Sequence, residues 1–128
     1  MIYIDSSVAL AEILTEERVP DDAFWLQPLV SSRLLSYEIW VRLHARGLAR
    51  THEATAREML ETIAQAEMTE GVLRRALEPF PVEVRTLDAL HLATVEYLRE
   101  EKTVTSLATY DRRMVDAAKK MGIPLAKI

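Results

Sequence analysis

Nowhere in this chain are two strand-like stretches joined by a short turn. Five stretches read as strands: Ile2–Ile4, Leu29–Ser31, Glu67–Thr69 (the weakest of them), Thr103–Leu107 and Ile123–Leu125. Between them lie segments of helical spacing that begin near Val8, Asp22, Arg33, His52, Gly71, Leu87 and Asp111. Gly47 and Gly122 stop two of these helices, and Pro28, Pro79 and Pro81 close two more. A strand that reaches the next one only through a helix cannot form a hairpin and must cross over to run parallel. The expected architecture is therefore α/β, a parallel sheet covered by helices. One such sheet fits 128 residues, so residues 1–128 read as a single domain.

Composition narrows the function. Apolar residues make up 49% of the chain, enough for a packed core, yet no stretch nears the ~18 consecutive apolar residues of a membrane span. Cysteine is absent, which excludes disulfides and thiolate metal sites. With no basic leader and apolar run either, the expected location is cytoplasmic. No GxGxxG or Walker loop signals a nucleotide. The net charge of −4 excludes a surface that is basic throughout. Nucleic acid stays open as a partner, because 12 of the 16 basic residues are arginine, whose planar fork grips phosphate.

Four acidic residues stand in unusual places. Asp5 ends the run Ile2-Tyr3-Ile4 and precedes the helix of Val8, Leu10, Ile13 and Leu14; Asp111 likewise follows a strand and precedes a helix. Both positions suit a helix N-cap, and both lie at the strand-end edge where open α/β sheets bind ligands. Glu38 falls between Leu34 and Leu35 on a helical wheel, inside an apolar arc, where it is either an ion pair with Arg42 or a functional carboxylate. Asp88 opens a helix that is apolar nearly all round, and it too faces the apolar side. Parallel topology gathers such residues at one sheet edge. Two like charges 4 Å apart cost about 4 kcal/mol at an effective dielectric of 20, and a divalent cation relieves that strain. Hard oxygen donors with neither Cys nor a His cluster select Mg²⁺ or Mn²⁺ over Zn²⁺.

The words IDSSVALAEIL, SRLLSYEIWVRLHARG, RTLDALHLATVEYL and LATYDRRMVDAAKKMGIPL, with acids in the order Asp5, Glu38, Asp88, Asp111, resemble the acidic quartet of PIN-domain ribonucleases of the VapC toxin type. The likeness covers nearly the whole chain and is weak only from Arg50 to Glu83. It implies a PIN-like domain with a five-stranded parallel sheet flanked by helices. It also implies an Mg²⁺/Mn²⁺-dependent endoribonuclease that cleaves RNA by metal-activated water, leaving a 5′-phosphate and a 3′-hydroxyl. Carried across, Asp5, Glu38, Asp88 and Asp111 are the expected metal-binding carboxylates, with Ser6 and Thr109 as supporting hydroxyls. Asp116 shares the fourth acidic role with Asp111. Arg33, Arg42, Arg46, Arg85, Arg112 and Arg113 are candidates for a basic rim that meets RNA; for each, a solvated surface role is the competing reading. His91 is expected to be a hydrogen-bonded, packed residue rather than a base.

The same resemblance implies a homodimer and a cognate VapB-type antitoxin. Val8, Ala9, Leu10, Ile13, Leu14, Phe24, Trp25 and Leu26 are candidate walls for its groove, or simply core. The competing function is a catalytically inactive PIN-like binding module that acts through protein or RNA partners. A dehalogenase-type phosphatase would want Asp where Ser7 stands.

Overall fold

The computed structural model describes residues 1–128 and shows why the strands are short and apolar on both faces. Successive residues of a strand point to opposite sides. In β1 (Ile2–Ile4), Ile4 enters one core and Tyr3 the other; in β2 (Leu29–Ser32), Leu29 and Val30 divide likewise, and in β4 (Ser106–Ala108), Ala108 and Leu107. The first core is closed by α1 (Ser6–Ile13), α2 (Asp22–Trp25), α3 (Leu34–Ala45) and α4 (Ala49–Thr62), through Val8, Phe24, Leu35, Ile39 and Ala56. The second is closed by α6 (Thr86–Glu100) and α7 (Arg112–Lys120), through Leu92, Val95, Met114 and Ala117. β3 (Ala64–Ala66) lies at one edge, and α5 (Glu70–Ala76) packs on α6, tied by the Arg75–Glu96 ion pair at 2.6 Å. The result is a parallel sheet between two helical layers. Leu92 is fully buried. Leu92→Ala should lower unfolding stability by about 2–5 kcal/mol, read as a lower urea midpoint at unchanged slope.

Strand order is β3-β2-β1-β4, and every pairing is parallel. The chain therefore steps outward from β1 to β2 to β3 and then returns to lay β4 on the other side of β1. The direction of winding reverses between β1 and β4, and at such a switch point the loops beyond the strand ends part and leave a crevice. Ile4 pairs with Ala108, so the next residues along, Asp5 and Thr109, emerge side by side into that crevice.

Three expectations about strands need correction. The sheet has four strands rather than five. The segment at Ile123–Leu125 makes only a single parallel bridge, Leu107 with Leu125, using Leu107 N–H to Pro124 O and Ala126 N–H to Leu107 O. Pro124 has no N–H to extend the ladder. β3 is Ala64–Ala66, ahead of the expected Glu67–Thr69, where Thr69 instead caps α5 by accepting from Val72 N–H. β4 starts at Ser106 rather than Thr103, because the amides of Thr103 and Val104 turn back to Leu98 O and finish α6. Val8, Ala9, Ile13 and Phe24 lie in the first core, so they wall no groove, whereas Leu26 is 87% exposed.

Candidate active site

A cleft of about 800 Å³ opens at the switch point, and Asp5, Glu38, Asp88 and Asp111 all line it. Four separate segments supply them: the end of β1, the second turn of α3, the first turn of α6 and the residue before α7. Asp116 is exposed on α7 and is not part of the cleft wall.

Asp5 is the most enclosed, at 4% exposure. Its Oδ1 accepts from Ser7 N–H at 3.0 Å, capping α1, and from Ser7 Oγ at 2.5 Å. Its Oδ2 accepts from Thr109 Oγ1 at 2.6 Å. Burial raises the Asp5 carboxyl above its ordinary value, and the hydrogen bonds from Ser7 and Thr109 oppose that rise. Thr109 Oγ1 also accepts from Asp111 N–H at 3.0 Å, and Ser7 Oγ accepts from Tyr110 N–H at 2.9 Å. Two hydroxyls thus stitch the end of β1 to the loop after β4.

Glu38 does not pair with Arg42. Its Oε2 accepts from Ser6 Oγ at 2.9 Å, and its Oε1 meets His91 Nε2 at 2.5 Å. His91 is buried, and its Nδ1 lies 2.6 Å from the Tyr3 hydroxyl, which itself accepts from Ser32 N–H at 3.1 Å. Burial lifts the Tyr3 phenol well above its ordinary value, so it keeps its proton.

Asp88 Oδ2 accepts from Arg85 N–H at 3.3 Å and so starts α6. Asp111 Oδ1 accepts from Arg113 N–H at 2.8 Å and from Met114 N–H at 3.5 Å and caps α7. Cap and cleft residue were alternatives for Asp5 and Asp111; each of them is both. The Arg85 guanidinium bridges Asp88 and Asp111, with Nε 3.6 Å from Asp88 Oδ2 and a terminal nitrogen 3.4 Å from Asp111 Oδ2. As placed, no three of the acidic or histidine side chains form a ready-made ligand set for an ion. The Arg85 guanidinium already stands between two of them and offsets their repulsion. The donor chemistry, carboxylate oxygens with a positive group in their midst, fits a hard divalent cation.

Of the six rim arginines, Arg42 and Arg85 border the cleft. Arg33 is engaged elsewhere with Glu67 at 2.8 Å, while Arg46, Arg112 and Arg113 are exposed outside the cleft wall. Ser7, Tyr3 and Glu16 were missed from the sequence. Glu16 lines the cleft mouth, Ser7 clamps Asp5, and Tyr3 reads as an ordinary core residue until its hydroxyl is followed to His91.

Comparison with known proteins agrees with this architecture. The PIN domain family model matches residues 2–120. Ribonuclease VapC46 of Mycobacterium tuberculosis is 34% identical over 95% of this chain and 93% of its own length. Ribonuclease VapC47 of the same species is 28% identical over 98% of this chain and 96% of its own length. The crystal structure of Mycobacterium tuberculosis VapC20, described as a sarcin–ricin loop cleaving toxin, covers all of both chains with a TM-score of 0.70 at 17% identity, which speaks to the fold. With its model matched from β1 through α7 and its relatives aligned almost end to end, this chain belongs to the PIN-domain family, among the VapC-type proteins.

Proposed function

We propose that the chain is a metal-dependent endoribonuclease of the toxin type, hydrolysing phosphodiester bonds of cellular RNA. The observation that carries this reading is the convergence of four carboxylates, from four separate segments, on the cleft at the sheet's switch point. The ribonuclease names of its full-length relatives support it. Asp5, Glu38, Asp88 and Asp111 would hold the ion, Mg²⁺ or Mn²⁺. A divalent cation supplies a nucleophilic water at neutral pH and offsets charge on the scissile phosphate.

The chain's own side chains do the rest. Ser7 and Thr109 fix both oxygens of Asp5, and Ser6 and His91 fix those of Glu38, so two carboxylates are oriented before substrate arrives. Arg85 stands between Asp88 and Asp111 and would have to leave them for these carboxylates to hold an ion. Its side chain is 64% exposed, so it can swing from the carboxylates to an RNA phosphate at little cost. Arg42 offers a second phosphate contact. The same reading includes a VapB-type antitoxin that silences the enzyme, a homodimer, and a cytoplasmic location. No helix is long and apolar enough to cross a membrane.

The test is cleavage of end-labelled structured RNAs with Mn²⁺, Mg²⁺ or EDTA. Cleavage should require the ion and leave 5′-phosphate ends. If the pure protein neither cleaves any RNA nor binds Mn²⁺ by calorimetry, the chain is instead a non-catalytic PIN-like binding module.

A further inference from the structure

Glu38 lines the cleft from the second turn of α3, and its two oxygens are held by donors from different layers of the fold. Ser6, at the start of α1, holds Oε2, and His91, on α6, reaches Oε1. His91 is the residue one turn beyond Asp88, so α6 brings both residues to the cleft wall, where His91 touches Glu38. Behind His91 the contacts continue to Tyr3 in β1, and from Tyr3 to the backbone N–H of Ser32 at the end of β2. Each of Tyr3, His91 and Ser32 is at most 2% exposed.

The protons in this row can be assigned by counting donors and acceptors. The Tyr3 oxygen already accepts from Ser32 N–H and has one proton to give, and the partner in line is His91 Nδ1. With Nδ1 accepting, the ring carries its proton on Nε2, and that N–H donates to Glu38 Oε1. The Tyr3 and His91 rings also meet edge to face, with centroids 5.7 Å apart and planes at 78°, so the imidazole cannot turn over without displacing the phenol. A glutamate has three free torsions, and a carboxylate that must meet an ion gains from having them fixed.

We infer that His91 and Tyr3 are positioning residues: a relay from the β2 backbone through the Tyr3 hydroxyl and the His91 imidazole orients the Glu38 carboxylate toward the cleft. This inference rests on the proposed role of Glu38 as a cation ligand. It gives the His91 ring a task that packing alone would not require, and it explains why the ring is tied at both nitrogens.

The experiment compares Tyr3→Phe, His91→Leu and His91→Gln with the wild type and with Asp5→Asn. Gln can return an N–H to the place of Nε2, whereas Leu fills space without a donor. Mn²⁺ affinity is read by calorimetry on protein freed of metal, and kcat and KM are read on an RNA that the wild type cleaves. Separately, ¹⁵N-histidine NMR reads the tautomer of His91 with no ion present. We expect His91→Leu and Tyr3→Phe to bind Mn²⁺ about 10–100-fold more weakly, the usual effect of removing a group that orients a metal ligand. We also expect kcat to fall with KM little changed, and His91→Gln to recover most of the loss. The wild-type ring should show its proton on Nε2, and Tyr3→Phe should mix the tautomers. A proton on Nδ1 in the wild type, wild-type Mn²⁺ affinity in Tyr3→Phe, or a Gln variant no better than Leu would each overturn the relay. Tyr3→Phe removes one oxygen and carries the test should His91→Leu fail to fold. If Asp5→Asn abolishes Mn²⁺ binding while Tyr3→Phe leaves it unchanged, the relay falls and the nuclease reading stands. If the wild type itself binds no Mn²⁺, both fall.

Discussion

Asp5→Asn is expected to abolish RNA cleavage, by a factor on the order of 10²–10³ or more, and at the same time to melt at a higher temperature than the wild type at pH 7 in EDTA. The two effects share one cause. Asp5 is a buried carboxylate whose ionised form is disfavoured by its surroundings. Asparagine has the same size, keeps an acceptor for Ser7, and turns an N–H toward Thr109, whose hydroxyl can direct its own proton to Ser7 Oγ 3.4 Å away. The amide needs no ionisation, so the desolvation cost disappears. A gain of ~1 kcal/mol would raise the melting temperature of a domain this size by roughly 2–8 °C. The pH dependence follows from the sign of the shift. The folded-state value lies above the ordinary 3.8, so the unfolded chain ionises first. Stability of the wild type therefore falls as pH rises from 3.8 through the raised value and then levels off. The advantage of Asn should be full above the raised value, shrink as pH falls through it, and vanish below 3.8, where both proteins are neutral at this site. Melting curves of the two proteins from pH 3 to 8 check this. A mutant that melts lower than the wild type at pH 7 would show that the hydrogen bonds to Asp5, and not its burial, decide the balance.

Thr109→Val should damage both stability and cleavage although it neither adds nor removes a charge. Valine preserves the shape and loses the hydroxyl, which donates to Asp5 Oδ2 at 2.6 Å and accepts from Asp111 N–H at 3.0 Å. Both partners would be left short in a site that is largely closed to water. A loss of about 1–3 kcal/mol in unfolding stability is expected. A drop of ~10–100-fold in cleavage rate should accompany it, since two carboxylates lose their shared anchor. Thr109→Ser, which keeps the hydroxyl, should stay near the wild type in both assays. Urea unfolding and initial cleavage rates measure the pair; equal stability and rate in Thr109→Val would mean that the link between the strand ends is decorative.

What could be read from the sequence was what neighbouring residues write together. Ile2-Tyr3-Ile4 followed by Asp5 and an apolar helical run announces strand, edge and helix in consecutive letters, and the structure has all three in that order. The gathering of Asp5, Glu38, Asp88 and Asp111 in one cleft was legible too, because topology places strand ends and helix starts at the same edge. Where the reading failed, a distant partner overrode the local pattern. Ala64-Gln65-Ala66 has no β-branched residue and forms β3 only because β2 lies beside it. Thr103-Val104-Thr105 looks more like a strand than Ser106-Leu107-Ala108, yet its first two amides finish α6. The partners of the acids were the least legible part. Tyr3 and His91 stand 88 residues apart and Ser7 and Tyr110 stand 103 apart, so no local motif joins them.

The bond from Thr109 to Asp5 spans 104 positions of the chain. Ribosomes add roughly 5–20 residues per second, so the second half of that bond emerges on the order of 5–20 s after the first. During that interval the nascent chain holds Asp5 and then Glu38, but neither β4 nor Asp111 exists to complete the crevice. A message cut short, or a ribosome stalled before Ser106, yields a fragment without the strand that closes the site. The cleft is thereby completed only by the last part of the chain to be made.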